Sequence, residues 1–409
     1  MSRRFVITRI EIGGKVPLVC GVFEEHRMLE VQCIPEDAPP QILNNIYVGR
    51  VSQVVKNIGA AFVEIKKGQK CFLPISDLKH PVYVKRISEK QPLSQGDELL
   101  VQIVREAVKT KDPQVSTNLS LAGIYSVVTS GEKKLGVSGK IDSEKREMLR
   151  GLAASVYDEH FGVIVRTNAA DIPEGSEHVL TSEIRSLQEQ MQTILSQAPY
   201  RTIYSVLHKA PPEYIRILQN QPLEQLSEVV TDDAAIYEEL TVFADAHPAM
   251  KLSEKLRRYE DPQLELHKLY SLQVQMERAL QKKIWLKSGA NLLIESTEAM
   301  TVIDVNSSKN VKKKCPEEQH LQVNLEAAEE IAAQLRLRNI SGIIIIDFID
   351  MTSIEDKEHL LAAMRSFVKT DPVKTEVIDL TRLGLMELTR KKTRRPLMEQ
   401  LGMQDQSGK

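Results

Sequence analysis

Aromatic residues and cysteines are scarce in this sequence, and each shortage excludes a class of protein. Aromatic residues make up 5% of the 409 residues, so extensive aromatic surfaces are not expected. The cysteines form no C-x-x-C pair, so their spacing excludes a zinc knuckle and indicates free thiols in a reducing compartment rather than a disulfide framework. The four cysteines are Cys20, Cys33, Cys71 and Cys315.

Long apolar runs and an excess of one charge are also missing. No apolar stretch reaches the ~18 residues of a membrane span, and the first residues lead into a strand pattern rather than an apolar signal segment. The formal net charge is −2, so contact with nucleic acid must come from local basic patches. We therefore expect a soluble, cytoplasmic protein without a membrane partner.

The composition is that of a globular protein with several domains. Hydrophobic residues make up 42% and charged residues 27% of the chain, and the length predicts two to four domains. Residues 1–35 show three strand patterns, and residues 41–110 show short strands at a spacing that predicts a small barrel or sandwich. Helical spacing covers Asp142–Tyr157, Thr181–Ala198, which opens with a Thr/Ser cap, and Gln263–Lys283.

Two features of the first half of the chain are candidates for binding. In the barrel segment, Phe62 and Phe72 have the character of residues that stack on nucleobases, and the alternative is that both belong to the barrel core. The strand pattern Phe161–Thr167 ends in Arg166 and Thr167, a cation and a hydroxyl suited to an anion such as a phosphate. The alternative there is an exposed arginine after a core strand.

Two aspartates lie in a strand–helix–strand pattern. Asp304 and Asp347 each stand inside an apolar run that predicts a buried strand, and helical spacing over Asn324–Arg338 joins the runs. A β–α–β unit makes its strands parallel, and neighbouring strands lie roughly 5 Å apart, so the two carboxylates can meet. Asn306 shares the strand face of Asp304. Buried carboxylates are costly unless they are paired or bind a metal.

Two carboxylates with an amide nearby predict a site for Mg²⁺, for which Mn²⁺ can substitute, rather than for zinc. Such a metal orients an attacking water and neutralises charge on a phosphate. The alternative for each aspartate is a loop cap or a partner for an arginine. Basic runs flank the unit and favour contact with a phosphate backbone; they comprise Lys309, Lys312–Lys314 and Arg390–Arg395.

A set of motifs in a fixed order also carries a resemblance to a known family. Outside the barrel the motifs are Leu121–Gly123, Val165–Thr167, Ile294–Ala299, Ile303–Ser307, Asn324–Ala328, Gln334–Arg338 and Gly342–Met351. Within the barrel segment, Gly49–Val51, Gly59–Val63 and Phe72–Pro74 resemble an S1-type OB-fold RNA-binding domain. From about Met1 to about Arg395 the chain resembles the bacterial ribonuclease E/G family, nearer its short, ribonuclease G-like members.

The resemblance implies a multidomain α/β and α+β fold. In that fold a ribonuclease H-like part is interrupted by an S1-type OB-fold barrel and a 5′-sensor module, and a deoxyribonuclease I-like α/β catalytic domain follows. The implied segments are 1–38 (first ribonuclease H-like segment), 39–122 (S1-type barrel), 123–205 (5′-sensor module), 206–282 (second ribonuclease H-like segment), 283–398 (catalytic domain) and 399–409 (polar tail).

The resemblance also implies roles for individual residues. Asp304 and Asp347 match the catalytic, metal-binding aspartates, and Asn306 matches their supporting asparagine. The residues that match a pocket for a 5′-monophosphate are Arg166, Thr167, Gly123, Val127 and Lys374; the last replaces an arginine, so charge is kept but bidentate geometry is lost. The residues that match RNA-contacting positions of the barrel are Phe62, Phe72 and Lys111.

The implied function is that of a Mg²⁺-dependent endoribonuclease. It would cleave single-stranded RNA, in rRNA processing, other RNA processing and mRNA decay, to leave 5′-phosphate and 3′-hydroxyl ends, and would prefer 5′-monophosphorylated RNA. The competing hypotheses are a non-catalytic RNA-binding protein that keeps the fold and, third, a DNA hydrolase.

The chain departs from the family pattern in two places. The family's Cys-Pro-x-Cys zinc link after the catalytic domain is missing, so zinc is not expected, and any homo-oligomer would form without that link. The loop after Ser307 also differs from the family's glycine-rich form, which leaves RNA contacts there open.

Overall fold

The computed structural model describes residues 3–37, 41–107, 112–247, 251–297, 299–307 and 316–403. Its strands are β1 (Arg3–Arg9), β2 (Leu18–Glu24), β3 (Arg27–Ile34), β4 (Ile46–Val55), β5 (Ala60–Lys66), β6 (Gln69–Pro74), β7 (Tyr83–Lys85), β8 (Glu98–Arg105), β9 (Gln114–Ser116), β10 (Ser120–Ala122), β11 (Ser126–Thr129), β12 (Leu135–Val137), β13 (Gly162–Val165), β14 (Val206–His208), β15 (Leu226–Thr231), β16 (Leu256–Arg258), β17 (Lys283–Trp285), β18 (Asn291–Ser296), β19 (Met300–Asn306), β20 (Gly342–Asp347), β21 (Thr375–Leu380) and β22 (Leu385–Arg390).

The helices are α1 (Ser143–Ala154), α2 (His178–Gln197), α3 (Glu213–Gln219), α4 (Ala234–Ala246), α5 (Leu252–Lys255), α6 (Leu266–Leu269), α7 (Leu272–Leu280), α8 (Pro316–Leu337), α9 (Ile354–Lys369) and α10 (Leu397–Gln400). Over the described ranges, none of these helices combines the length and the apolar character needed to cross a bilayer.

The chain forms two compact units. One, which we call the terminal unit, comprises Met1–Ala38, Leu226–Val242 and Glu254–Lys409; the other, the inserted unit, comprises Pro39–Gln225 and Phe243–Ser253.

The inserted unit contains a closed barrel of five strands. The barrel order is β4-β5-β6-β9-β8, and pairing of β4 with β8 closes it, with β14 and β7 added at its sides. Strand alternation fills the interior with small and branched residues such as Ala61, Val63, Cys71 and Leu73. The closely spaced strands of the sequence therefore form a barrel rather than a sandwich.

The remainder of the inserted unit is a small mixed sheet with two principal helices. The sheet order is β10-β11-β13-β12. Helix α1 begins after Asp142, whose carboxylate accepts from the backbone N–H of Lys145 at 3.0 Å, as the predicted boundary requires. Helix α2 begins at His178 rather than at Thr181, because the Thr181 hydroxyl donates to the His178 carbonyl inside the first turn instead of capping it.

The first sheet of the terminal unit has the order β16-β15-β1-β2-β3. Strands β1, β2 and β3 form the antiparallel meander that the sequence predicts, and β15 adds in parallel to β1. The long helix predicted over Gln263–Lys283 is wrong. It divides into α6 and α7 because Ser271 adopts a left-handed conformation (φ 48°), which interrupts a right-handed helix, and Lys283 already belongs to a strand.

The second sheet of the terminal unit has the order β17-β18-β19-β20-β22-β21. Strands β19 and β20 are parallel neighbours joined by α8, and the flanking pairs β18–β19 and β20–β22 are antiparallel. Helices α8 and α9 cover one face, where Ile303, Val305, Ile344 and Ile346 are buried against residues of both helices. On the opposite face apolar side chains stay exposed, including Val302. We call this opposite side the open face.

Candidate active site

The two aspartates singled out by the sequence lie opposite each other on neighbouring strands. In the parallel pairing of β19 with β20, Asp304 is in register with Asp347. Residues in register on adjacent strands point to the same side of a sheet, about 4.8 Å apart. The amide nitrogen of Asn306 donates to Oδ2 of Asp304 at 2.6 Å. The structure therefore brings all three predicted residues together on the open face.

The prediction that these carboxylates are buried is wrong. Asp304 is half-buried and Asp347 is exposed. Alternate residues of each strand point to opposite faces, so Ile303 and Ile346 take the face covered by helices and the aspartates take the open face. An apolar run that contains one aspartate thus belongs to a sheet covered on one side only.

The electrostatics of the pair favour a bound cation. Partial desolvation, and then the negative charges of Asp304 and Asp350, raise the pKa of Asp347. Within the described ranges there is no cluster of three or more His, Cys, Asp or Glu residues arranged to hold a metal. Two carboxylates and an amide fit Mg²⁺, which takes one or two protein carboxylates and keeps several waters.

A buried asparagine that the sequence reading assigned no role supports the end of β20. Asn324 on α8 is fully buried, and its side chain donates to the Ile349 carbonyl (2.8 Å) and accepts from the Ile349 N–H (3.0 Å). This pair of bonds fixes the chain two residues beyond Asp347. The available signal was a polar residue in helical spacing with Ala328, Ile331 and Leu335 on the apolar stripe of α8.

The candidate phosphate pocket gathers residues from four segments of the inserted unit. The guanidinium of Arg166, directly after β13, donates to the Gly123 carbonyl at 2.5 Å and to the side chain of Asn220. The hydroxyl of Thr167 lies 2.9 Å from that of Ser138. Val127 lies in β11 and pairs with Ile164 of β13. Arg166 is half-buried and donates two hydrogen bonds, so the alternative of an exposed arginine is wrong.

Lys374, the fifth residue predicted for this pocket, belongs to the terminal unit. It is exposed there, and its ammonium forms an ion pair with Glu376 at 2.5 Å. Its assignment to phosphate binding stays a prediction.

A carboxylate that the sequence reading missed holds the loop of this pocket. Glu183 on α2 accepts hydrogen bonds from the backbone N–H groups of Ile124 (2.8 Å), Tyr125 (3.0 Å) and Ser126 (2.8 Å), and from the Ser126 hydroxyl (2.8 Å). Its burial raises the pKa of Glu183, although these hydrogen bonds oppose the shift. A Cβ at Gly123 would lie 2.4 Å from the Glu183 carboxyl carbon, so this close approach requires glycine.

The two aromatic candidates of the barrel lie on its outer face. Phe62 and Phe72 pair across β5 and β6, and their rings meet edge to face with centroids 6.2 Å apart. Both are half-buried, and the interior is filled instead by their strand neighbours, so the alternative of core residues is wrong. Lys111, the third predicted residue, lies outside the described residues.

The basic runs beside the aspartates are only partly solvent-facing. Lys309 and Lys312–Lys314 lie outside the described residues. Arg390 is buried and forms a bidentate ion pair with Asp371, with nitrogen–oxygen distances of 2.7 and 3.2 Å. It therefore supports the fold rather than an RNA contact, whereas Lys391, Lys392 and Arg395 are exposed.

Comparison with known proteins assigns both parts of the chain. The S1 RNA binding domain matches residues 41–118, and the Ribonuclease E/G family matches residues 120–393. Ribonuclease G of Salmonella typhimurium and ribonuclease G of Escherichia coli K12 are each 35% identical over 376 residues, which are 88% of this chain and 75% of each relative. Ribonuclease E of Synechocystis sp. is 33% identical over 378 residues, which are 91% of this chain and 56% of that protein.

Proposed function

The chain belongs to the ribonuclease E/G family and is an endoribonuclease of that type, and we propose that it hydrolyses single-stranded RNA with Mg²⁺ at Asp304 and Asp347. The observation that supports this proposal is the register of the two aspartates, one half-buried and one exposed, on the open face. RNA as the partner is supported by the S1 domain at residues 41–118.

In the proposed reaction, water attacks the phosphorus in line with the 3′-oxygen. The bond between phosphorus and that oxygen breaks, the attacking water gives up one proton and the leaving 3′-oxygen takes up one, so the products carry a 5′-phosphate and a 3′-hydroxyl. Asp304 and Asp347 supply the oxygens that would hold the ion, and the Asn306 amide fixes the orientation of Asp304. When bound, Mg²⁺, or Mn²⁺ in its place, supplies Lewis-acid stabilisation of phosphate charge and a polarised water.

We also propose that the enzyme prefers RNA with a 5′-monophosphate. The guanidinium of Arg166 is planar and positively charged and can donate two parallel hydrogen bonds to phosphate oxygens. Thr167 adds an exposed hydroxyl. The Gly123 carbonyl already orients the guanidinium. A 5′-monophosphate presents charged terminal oxygens that a 5′-hydroxyl end lacks, so these groups favour the monophosphate end.

The finer architecture is part of the same proposal. The sheet that carries Asp304 would be the deoxyribonuclease I-like catalytic domain, and the β1–β3 meander with β15 and β16 would be the ribonuclease H-like part. Residues 123–205 would form the 5′-sensor module. The two sheets of the terminal unit and the separate barrel of the inserted unit support this division.

The catalytic proposal is tested by Asp304→Asn and Asp347→Asn. Each change removes one anionic ligand, so we expect cleavage of a labelled, unstructured RNA to fall more than about 100-fold, while the RNA still shifts on a native gel. Asp379→Asn is the matched control, because Asp379 is exposed on β21 of the same sheet.

The outcomes separate the competing functions. Full cleavage in EDTA, or by either variant, would refute the metal assignment. A gel shift without cleavage by the wild-type protein would favour a non-catalytic RNA-binding protein. Competition with single-stranded DNA of the same sequence separates an RNA enzyme from a DNA hydrolase.

The end preference is tested separately with three RNAs that differ only at the 5′ end: monophosphate, triphosphate and hydroxyl. We expect the monophosphate RNA to be cleaved fastest, and Arg166→Ala to make the three rates equal without lowering the rate on hydroxyl RNA. Arg185→Ala, an exposed arginine on α2, is the control. Equal rates on all three RNAs in the wild-type enzyme would refute the preference and leave the catalytic proposal intact.

A further inference from the structure

The only tryptophan of the chain, Trp285, is displayed on the surface. Its exposed fraction is 65%, on the edge strand β17. Tryptophan is a large apolar side chain that gains much free energy from burial, so its exposure on this strand suits a partner that covers it. Its neighbours Ile284 and Leu286 pack with the hydrophobic core of the sheet, so the strand could not turn the indole inward without exposing them.

The register of the sheet places Trp285 on the same face as the catalytic residues. Trp285 pairs with Asn291 of β18, and Asn291 pairs with Asn306 of β19. Directly opposed residues share a face, so Trp285 and Asn306 belong to one row across three strands. Two strand spacings give a separation of about 10 Å between their backbones. This row lies beside the row that contains Asp304 and Asp347.

A lysine completes the surface around the indole. The ammonium of Lys283 lies 4.2 Å from the centre of the Trp285 ring, on the same face of the sheet. This cation–π contact orients the ring and adds a positive charge beside it. An aromatic ring with an adjacent cation is the pair of groups with which proteins bind single-stranded nucleic acid, because the ring stacks on a base and the cation contacts the backbone.

We propose that Trp285 stacks on a nucleobase of the bound RNA, close to the phosphate that is cleaved, with Lys283 contacting the adjoining backbone. This inference rests on the proposed function, since it requires RNA to lie across Asp304 and Asp347. We assign RNA, and not a second copy of the chain, to this surface because the aromatic ring and the cation lie on the same face as the row that contains Asp304 and Asp347. An apolar contact between copies would instead centre on Val302 and Ile343, which lie in other rows of the open face.

The single tryptophan makes the proposal directly measurable. In EDTA, where the proposed metal reaction is stopped, wild-type protein is titrated with single-stranded RNA while its tryptophan fluorescence is recorded. We expect the RNA to quench the tryptophan fluorescence saturably. An RNA of equal length that lacks the bases around the cleavage site should bind without quenching, and the anisotropy of a label at its end reports that binding. RNA that binds without changing the fluorescence would overturn the proposal, whereas failure of the proposed function would appear as wild-type protein that does not cleave RNA in Mg²⁺.

Steady-state kinetics supply the second test. Trp285→Ala should raise KM for a short single-stranded RNA about 10-fold and leave kcat within about two-fold, since stacking on one base contributes to binding. Trp285→Phe should restore most of the affinity. Ile343→Ala, which removes an exposed apolar side chain from the same face, is the matched control and should leave KM unchanged. An equal rise in KM for the Ile343 variant, or a change of oligomeric state in light scattering of Trp285→Ala without a change in KM, would refute the proposal.

Discussion

Charged residues of this protein act according to their surroundings rather than their place in the sequence. Asp304 and Asp347 lie in apolar runs yet lie on the open face, and partial desolvation, followed by nearby negative charges, raises the pKa of Asp347. Arg390 lies in a basic run yet is 3% exposed, and Asp371 beside it is 6% exposed. Besides Asp371, the Arg390 guanidinium donates to the Asn339 side chain (2.8 Å) and to the Ile340 carbonyl (3.0 Å). Four of its five N–H donors are used in this way, and they join β22 to Asp371 after α9 and to the segment that precedes β20.

Loss of Arg390 should therefore destabilise the terminal unit. Arg390→Ala removes the bidentate ion pair from the buried Asp371 carboxylate, and we expect the free energy of unfolding to fall by about 3–5 kcal/mol. Arg390→Lys should not restore it, because an ammonium cannot form the bidentate pair. Urea denaturation measures the change.

The control for that prediction is the adjacent Lys391→Ala, an exposed change that should alter stability by less than about 0.5 kcal/mol. Equal stability of the Arg390 and Lys391 variants would contradict the structural role of Arg390 and return it to the basic surface.

At the scale of the element, one helix position organises the loop between β10 and β11. Three consecutive backbone N–H groups donate to Glu183 of α2, and the Gly123 carbonyl at the start of the loop accepts a hydrogen bond from Arg166. A loop whose N–H groups all donate to one buried carboxylate is held in a fixed position. The phosphate pocket that we propose is therefore positioned by a residue some 60 positions away in the chain, without that residue entering the pocket.

Glu183→Gln should weaken the proposed end preference selectively. The amide NH₂ of glutamine cannot accept the hydrogen bonds that one carboxylate oxygen accepts from the loop, so the loop is held less firmly. We expect the rate advantage of 5′-monophosphorylated RNA to fall by about 10-fold. Cleavage of 5′-hydroxyl RNA should be unchanged. The measurement is the ratio of initial rates on the two RNAs.

Glu189→Gln is the control for this effect, because Glu189 is exposed on the same helix. If both variants kept the wild-type ratio, or if Glu183→Gln slowed cleavage of both RNAs alike, Glu183 would have no specific role in positioning the pocket.

At the scale of the whole molecule, each unit has a hydrophobic core that contains a free cysteine. Cys33 packs in the core of the first sheet of the terminal unit, and Cys71 packs inside the barrel of the inserted unit. Burial raises the pKa of each thiol from 9.0 to about 12. The thiolate is the reactive form, so both cysteines should be protected in the folded protein.

These thiols should report the unfolding of each unit. At pH 8 we expect iodoacetamide to leave Cys33 and Cys71 unmodified in the native protein and to modify each one as urea unfolds its unit, as followed by mass spectrometry of peptides. Above pH 9 the unfolded chain loses these protons while the folded chain keeps them, so stability is lost as pH rises toward 12. Rapid native labelling of either thiol would contradict its burial.

The sequence by itself determined the local pattern of the site. Strand periodicity placed Asn306 and Asp304 on one face, and the β–α–β pattern made their strand parallel to that of Asp347, as the structure confirms. The motifs identified the barrel and the family, as the comparisons confirm. These features follow from the sequence because they depend on residues close together in the chain, where steric and periodic rules apply.

Tertiary structure alone decided which face was covered and which distant residues met. Periodicity shows that alternate residues share a face, but only the packing of α8 and α9 left the aspartates and Trp285 on the open one. Tertiary structure also decided the buried ion pair of Arg390 with Asp371 and the hydrogen bonds from the loop of residues 124–126 to Glu183. Burial and long-range hydrogen bonds depend on the contacts of the folded chain, and no local rule of spacing contains them.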